Sequence, residues 1–177
     1  MNTKQFTISI LEEARADESR SPFTPDQIKT LITNFPNIKI SVQPSKKRCF
    51  KDEEYYKAGA KLDEDITNSS IIFGIKEIDI SKIIEGKTYL FFSHTSKVPN
   101  GNFKNSQDPV IIYKKNLLRE VLKKKVTLID YENIRDKSKE TYRYLGFGRF
   151  AGIVGCYNTL NLYLKLNKKK LLPRAFE

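Results

Sequence analysis

FTPDQIKTLITNFPNIKISV, residues 23–42, contains the signals for a helix followed directly by a strand. Thr24 is suited to the N-cap, Pro25 to the first helical position, and Gln27 completes a capping box. The apolar stripe of this helix comes from Ile28, Leu31 and Ile32. Residues 38–42 are rich in β-branched side chains and predict a strand. The stretch therefore predicts one helix–strand unit of an α/β fold.

The same alternation continues along the chain. Further strands are predicted at 6–11, 71–75, 89–93 and 126–130, and further helices at 52–58, 109–124 and 150–166. Strands that alternate with helices are typical of βαβ units and a mostly parallel sheet. We predict a three-layer α/β/α fold, flavodoxin- or Rossmann-like, in a single domain with a long C-terminal helix. Residues 131–147 are predicted to form a polar hairpin or loop, and residues 98–108 a turn-rich insertion.

The chain is strongly basic. It has 177 residues and a net charge of +11, from 32 Lys and Arg against 21 Asp and Glu. Much of the excess lies in lysine runs such as 123–125 and 168–170, at the ends of amphipathic segments, where the helix dipole favours cations. We interpret the charge as a lysine-rich solvated surface and expect no nucleic-acid partner, because no RNP, helix-turn-helix or zinc-finger pattern accompanies it.

Membrane and metal functions are also not expected. No apolar stretch approaches the ~20 residues that a membrane span needs. Residues 1–13 pass into a strand pattern without the features of a signal peptide, which predicts a cytoplasmic location. Cys49 and Cys156 lack any C-x-x-C or Cys/His spacing, so they are predicted to be reduced packing residues rather than metal ligands.

The glycines of GFGRFAG, residues 146–152, are one residue too far apart for the dinucleotide-binding fingerprint. No clear strand precedes them and no second βαβ unit follows. We interpret them as small residues that allow close packing where the last helix starts. Because the chain has no other glycine-rich phosphate loop, it is not expected to bind NAD(P) fully by itself.

Polar side chains follow three of the predicted strands at their carboxyl ends. Arg20 follows the first strand, Lys76 and Glu77 follow the 71–75 strand, and His94 and Lys97 follow the 89–93 strand. Ligands of open α/β sheets bind at this edge, and several cations beside one imidazole suit a substrate with several carboxylates. The residues alone leave other interpretations open: a charged surface loop around Arg20, a solvated strand end at 76–77, and a structural histidine.

Six segments of the chain resemble a known family. They are ESRSPFTP (18–25), VQPSKKRCFKDEEYYKAGA (42–60), IIFGIKE (71–77), KTYLFFSHTSK (87–97), TLIDYE (127–132) and FGRFAGIVG (147–155). The chain resembles the N-terminal domain of the alanine dehydrogenase/pyridine nucleotide transhydrogenase superfamily. Within it, the FFSHT-x-K and FG-x-[FW]-AG patterns are most similar to the lysine–ketoglutarate reductase/saccharopine dehydrogenase branch.

The resemblance implies acid–base roles for two residues. The catalytic lysine of the G-[IL]-K-E strand end falls on Lys76, with Glu77 beside it tuning its charge. The acid–base histidine of the family falls on His94. In this branch, lysine and 2-oxoglutarate condense to an imine that is reduced to saccharopine with NAD(P)H, or the reverse reaction takes place.

The resemblance also implies substrate-binding residues. The arginine of the R-x-x-x-T-P motif falls on Arg20, and a lysine that binds a substrate carboxylate falls on Lys97. The glutamate of the [DY]-E motif falls on Glu132, and an arginine shortly before the FG turn falls on Arg143.

The domain organisation implied by the family is a substrate domain at 1–148. Residues 149–177 are then the long helix and the start of a linker to an NAD(P)-binding domain that is not in this chain and acts in cis or in trans. NAD or NADP is the implied cofactor, and an oligomer is possible. The alternatives are an alanine dehydrogenase domain, a transhydrogenase alpha-subunit domain, and a catalytically idle binding or regulatory module.

Overall fold

The computed structural model of the chain describes residues 5–97, 107–136 and 138–173. The chain divides into two compact units, Met1–Asn133 and Ile134–Glu177. The strands of the first unit are β1 (Phe6–Ile10), β2 (Ile38–Val42), β3 (Lys61–Leu62), β4 (Ile71–Phe73), β5 (Thr88–Phe91) and β6 (Thr127–Asp130). Its helices are α1 (Pro25–Asn34), α2 (Asp52–Lys57) and α3 (Pro109–Lys123). Short 3₁₀ turns occupy Ile80–Lys82, Thr95–Lys97 and Tyr131–Asn133.

The start of α1 confirms the predicted capping box. The Thr24 hydroxyl accepts a hydrogen bond from the Gln27 backbone N–H at 3.2 Å, and the Thr24 N–H donates to the Gln27 side chain at 2.9 Å. Two of the amides that a helix start leaves unpaired are thereby satisfied. Pro25 occupies the first turn, as the sequence predicts.

The six strands of the first unit form one parallel sheet in the order β3-β2-β1-β4-β5-β6. From β1 the chain moves outward through β2 to β3, crosses back to β4 on the other side of β1, and continues to β5 and β6. The predicted α/β class and parallel sheet are confirmed. In such a sheet the point where the strand order reverses, here between β1 and β4, is the usual place for a ligand crevice.

Helices cover both faces of the sheet. In the register of β1 with β4, Ile10 lies beside Phe73, so Ile72 faces the opposite side of the sheet from Ile10. Ile10 belongs to a core with α1 and α2 residues such as Ile28 and Tyr55. Ile72 belongs to a second core with the α3 residue Leu117. This arrangement is the predicted α/β/α layering.

The second unit contains an antiparallel hairpin of β7 (Arg135–Asp136) and β8 (Lys139–Arg143), followed by α4 (Gly148–Leu166). The hairpin lies where the sequence predicts a polar hairpin or loop. The predicted close packing at the start of α4 is wrong: a Cβ atom added at Gly148 or Gly152 would meet no heavy atom within 4 Å. Apolar side chains of this helix such as Phe150 and Ile153 are exposed instead.

Several other expectations can be compared with the structure. Cys49 and Cys156 are free thiols, but both are exposed and neither packs in a core. The two-residue strand β3 was not predicted. Most of the predicted insertion, residues 98–106, lies outside the described residues. Within the described residues, no helix is long and apolar enough to cross a membrane.

Candidate active site at the carboxyl edge of the sheet

Arg20 is held by a buried glutamate in the loop after β1. Its Nε atom donates to Oε1 of Glu18 at 2.8 Å, and its backbone N–H donates to the same oxygen at 3.0 Å. The Glu18 side chain is 6% exposed, whereas that of Arg20 is 41% exposed. The hydrogen bond from Arg20, followed by smaller contributions that include the charge of Lys76, lowers the pKa of Glu18. Glu18 therefore fixes the orientation of a partly exposed guanidinium and lies close enough to Lys76 to sense its charge.

Lys76, Phe92 and His94 form a stack, which we call the Lys76–Phe92–His94 stack. The Lys76 ammonium lies 5.8 Å from the centre of the Phe92 ring, within range of a cation–π interaction. The His94 ring lies nearly parallel to the Phe92 ring, with 6.2 Å between their centres and 21° between their planes. Tyr131 packs edge-on against Phe92 with its ring centre at 5.1 Å. One buried aromatic ring thus lies close to both residues that are expected to move protons.

His94 takes an unusual backbone conformation directly after β5. Its φ is 53°, in the left-handed region that costs free energy for a residue other than glycine. The Ser93 hydroxyl donates to the buried Asp130 carboxylate, and the Thr95 N–H donates to the Ser93 hydroxyl at 3.2 Å. These bonds fix the residues on both sides of His94. Strain of this kind persists where the surrounding structure imposes it, and it is common at active sites.

Glu132 brings a carboxylate to the His94 ring. Its Oε1 atom lies 3.2 Å from Nδ1 of His94, although the angles are outside the range of a hydrogen bond. The Glu132 side chain is 5% exposed, and its backbone N–H donates to Oδ1 of Asp130 at 2.9 Å. Asp130, at the end of β6, therefore positions residues on both neighbouring loops.

Glu77 faces a different cation from the one expected. Its Oε2 atom lies 3.6 Å from Nη1 of Arg15, and Nη2 of Arg15 donates to Oδ2 of Asp17 at 2.6 Å. Burial, and then the charge of Glu77, raise the pKa of Tyr113. Glu77 thus belongs to a charged group beside the stack rather than to the stack itself.

The remaining predicted residues are Lys97 and Arg143. Lys97 is the last residue of the Thr95–Lys97 turn, and its side chain is outside the described part of the structure. Arg143 is the last residue of β8 and belongs to the second unit. Arg20, Lys76, Glu77, His94 and Glu132 all belong to the first unit, at the carboxyl ends of β1, β4, β5 and β6.

Arg48, in the basic segment at 42–60, is a buried structural residue. Its side chain is 3% exposed and donates to the Gln43 carbonyl at 2.8 Å and the Leu11 carbonyl at 3.3 Å. It also contacts the Asp52 carboxylate at 3.2 Å, and its Cζ atom lies 5.4 Å from the centre of the Tyr55 ring. Arg48 therefore joins the carboxyl ends of β1 and β2 to α2 and stabilises the edge that carries the site.

The model of the family described as alanine dehydrogenase/PNT, N-terminal domain, matches residues 9–148. The chain belongs to this family. The match confirms the superfamily that the motifs resemble and covers all of β1 to β8 except the first residues of β1. Dehydrogenases, and hence oxidoreductases, make up this superfamily.

Curated relatives place the domain in the predicted branch. Alpha-aminoadipic semialdehyde synthase from Mus musculus is 40% identical over 150 residues, which are 85% of this chain and 14% of the relative. The protein of the same name from Arabidopsis thaliana is 33% identical over 160 residues, which are 88% of this chain and 13% of the relative. These relatives are the lysine–ketoglutarate reductase/saccharopine dehydrogenase type. The chain spans about one seventh of their length.

Solved structures confirm the fold. An L-alanine dehydrogenase superposes with a TM-score of 0.59 at 15% identity, over 75% of this chain and 34% of the other. A transhydrogenase from Sinorhizobium meliloti superposes with a TM-score of 0.63 at 15% identity, over 89% of this chain and 44% of the other.

The alanine dehydrogenase/PNT domain also contains a cavity of about 520 Å³ at the same edge of the sheet. Its lining includes Leu11, Glu13, Gln43, Lys47 and Tyr89, but not Arg20, Lys76 or His94. This cavity is therefore beside the candidate site and not around it. We place the candidate site at the stack, because the two residues predicted to move protons lie there and the partly exposed Arg20 lies at the same edge of the sheet.

Glu13 is a residue of this edge that the sequence reasoning missed. Its carboxylate accepts hydrogen bonds from two consecutive backbone amides, those of Ile75 at 2.6 Å and Lys76 at 3.0 Å. Burial raises the pKa of Glu13, while these two bonds act in the opposite direction. No sequence signal separates Glu13 from Glu12 in the same charged loop, since only the fold shows which of the two carboxylates points inward.

Proposed function

We propose that this domain is the substrate-binding half of an NAD(P)-dependent amino-acid dehydrogenase of the saccharopine dehydrogenase/lysine–ketoglutarate reductase type. The observation that carries the proposal is the Lys76–Phe92–His94 stack, at the same carboxyl edge of the parallel sheet as Arg20 and the glutamate that holds it. The identity of 33–40% to alpha-aminoadipic semialdehyde synthases supports the lysine branch.

Carboxylate recognition is the first role that we assign. Arg20 presents a fork that matches a carboxylate, and Glu18 holds it in place. Saccharopine carries three carboxylates, and we propose that Arg20, Lys97 and Arg143 bind them. Glu132 and Glu77 complete the proposed substrate-binding set. We propose that Glu132 acts through its contact with His94 and Glu77 through its contact with Arg15.

Proton transfer is the second role. Imine formation from lysine and 2-oxoglutarate removes protons from the amine and releases the carbonyl oxygen as water, so groups that accept and donate protons are required. We propose Lys76 and His94 for these steps. Both lie within about 6 Å of the centre of the Phe92 ring, and both follow strands that end at the same edge of the sheet.

The described residues do not fit the cofactor. The glycines at 146–152 follow β8 of an antiparallel hairpin rather than a parallel strand, so they do not form a dinucleotide-binding turn. We propose that NAD or NADP is bound by a further domain, in cis or in trans. The exposed apolar side chains of α4 suit contact with such a domain, and an oligomer remains a prediction.

One assay distinguishes the proposed activity from the other activities considered for this fold. With the NAD(P)-binding domain supplied in the same polypeptide or by its partner, NAD(P)H oxidation is measured with lysine plus 2-oxoglutarate and with pyruvate plus ammonia. Turnover of the first pair supports the proposal. Turnover of pyruvate and ammonia alone indicates an alanine dehydrogenase, and turnover of neither directs attention to a transhydrogenase domain or an idle module.

Calorimetry separates a substrate domain from a catalytically idle binding module. Saccharopine and 2-oxoglutarate are titrated into the wild-type protein and into Arg20→Gln. Binding that weakens in the variant supports a substrate role, whereas binding of neither ligand favours the idle module. The predicted cytoplasmic location stays a prediction, since the relatives from mouse, cattle and rat are named as mitochondrial.

A further inference from the structure

Glu13 connects the loop after β1 to the loop that carries Lys76. We propose that it is a positioning residue for Lys76, an inference whose kinetic consequence rests on the proposed function. Its two carboxylate oxygens accept from the N–H groups of Ile75 and Lys76 at 2.6 Å and 3.0 Å. A hydrogen bond to a charged group is stronger than one between neutral groups, so this pair of bonds fixes the backbone at Lys76.

The opposite side of the same loop is fixed by the sheet. The Gly74 N–H donates to the Leu90 carbonyl at 2.9 Å, and the Phe92 N–H donates to the Ile75 carbonyl at 3.0 Å. The segment therefore continues its pairing with β5 through the Gly74 N–H and the Ile75 carbonyl, while the amides of residues 75 and 76 donate to Glu13. The Lys76 backbone is held between Glu13 and the strand that leads to Phe92.

Gly74 lies directly beside this contact. A Cβ atom added at Gly74 would lie 3.5 Å from Oε1 of Glu13, 3.4 Å from Cδ1 of Leu11 and 3.7 Å from Cβ of Phe91. The Glu13 side chain is thus packed against the backbone of the β4 end. Its own backbone carbonyl accepts from the Lys47 ammonium, which holds the loop from the β2 side.

Glu13 also lies within electrostatic reach of the stack. Burial, and then the charge of Glu13, raise the pKa of Tyr131, the residue that packs edge-on against Phe92. Glu13 itself is 7% exposed, whereas the adjacent Glu12 is exposed. The two neighbours have the same chemistry and differ in burial and in bonding to the Lys76 loop, which makes Glu12 the matched control.

Glu13→Gln tests the inference with little change in size. The carboxamide keeps one acceptor oxygen but turns an NH₂ group towards the second backbone N–H, so at least one of the two bonds is lost. We expect kcat to fall by about 10- to 100-fold, because misplacing an acid–base group by ~1 Å has effects of that order. The KM for 2-oxoglutarate is expected to change by less than about 3-fold, because Arg20 is oriented by Glu18. Glu12→Gln should leave kcat and KM at their wild-type values.

Amide chemical shifts give a readout that does not depend on catalysis. In the ¹H–¹⁵N spectrum of the protein, Glu13→Gln should move the Ile75 and Lys76 resonances more than other amides, and Glu12→Gln should not. Thermal unfolding of each variant shows whether it is folded; Glu13→Asp, which keeps the charge but shortens the side chain, serves where Glu13→Gln does not fold.

The outcomes separate the inference from the proposed function. If the wild type turns over lysine and 2-oxoglutarate and the folded Glu13 variant has the same kcat, the inference is overturned and the proposed function stays intact. Absence of turnover in the wild type would overturn the proposed function. The spectra then decide the positioning role on their own. Ile75 and Lys76 resonances that do not move in the Glu13 variant would overturn it, and resonances that move would support it.

Discussion

Nδ1 of His94 lies 3.2 Å from Oε1 of Glu132, and the His94 backbone reaches this position with a φ of 53°. Ser93 and Asp130 hold the two loops on which the pair sits. A left-handed conformation costs free energy, and it occurs here at the only histidine of the chain, where its ring meets a buried carboxylate.

His94→Asn and His94→Ala separate the imidazole from the backbone conformation. Asparagine tolerates the left-handed region and alanine does not, so we expect alanine to lower the free energy of unfolding by about 1 kcal/mol relative to asparagine. Both variants should lower kcat by roughly 10²–10⁴-fold. Unfolding by urea and steady-state kinetics measure the two effects. Equal stability of the variants would contradict the assigned conformation.

Lys76→Met removes the ammonium and keeps most of the apolar stem. We expect kcat to fall by roughly 10²–10⁴-fold, as for loss of a general acid–base group. Lys29→Met, which removes an exposed lysine of α1, is the matched control and should turn over like the wild type. Near-wild-type turnover in Lys76→Met would rule out a proton-transfer role.

Arg20→Lys tests bidentate carboxylate binding. Lysine keeps the charge but cannot supply the fork, so we expect the Kd for 2-oxoglutarate to rise by about 10-fold or more. Calorimetry measures the change. A Kd equal to that of the wild type would show that the substrate carboxylate does not bind the Arg20 fork.

Glu18→Gln should change the pH dependence of stability. The hydrogen bond from Arg20 lowers the pKa of Glu18 below its ordinary value of 4.5 in the folded state. A lowered folded pKa stabilises the protein above pH 4.5, and this contribution is lost as the pH falls through the folded pKa. The wild type should therefore exceed Glu18→Gln in Tm by a few degrees at pH 7, and the gap should close in acid. Thermal unfolding from pH 3 to pH 7 measures it.

The exposed residue Glu85 supplies the control for that experiment. Glu85→Gln should follow the wild-type Tm at every pH. A Glu18→Gln gap that stays constant from pH 7 to pH 3 would show that ionisation of Glu18 is not its source.

Local signals explain how much of the fold the sequence predicts. The Thr24 and Gln27 capping box involves only four consecutive residues, so it depends little on the rest of the fold and can be predicted from the sequence. The strand β3 has two residues, Lys61 and Leu62, and a segment of that length has no period to detect. The openness around Gly148 could not be foreseen, since small residues mark close approach without indicating what approaches.

The candidate site likewise contains residues that the sequence predicts and contacts that only the fold shows. His94 and Lys76 were found because each directly follows an apolar strand. The Glu13 bonds to residues 75 and 76 and the contact of Arg15 with Glu77 join loops more than sixty residues apart, and only the sheet order brings those loops together.

The most direct test of the account is NAD(P)H oxidation with lysine and 2-oxoglutarate, with the NAD(P)-binding domain supplied, by the wild type, Lys76→Met and His94→Asn. We predict turnover by the wild type and a loss of roughly 10²–10⁴-fold in each variant. Turnover of pyruvate and ammonia in place of lysine and 2-oxoglutarate, or undiminished turnover by both variants, would contradict the account.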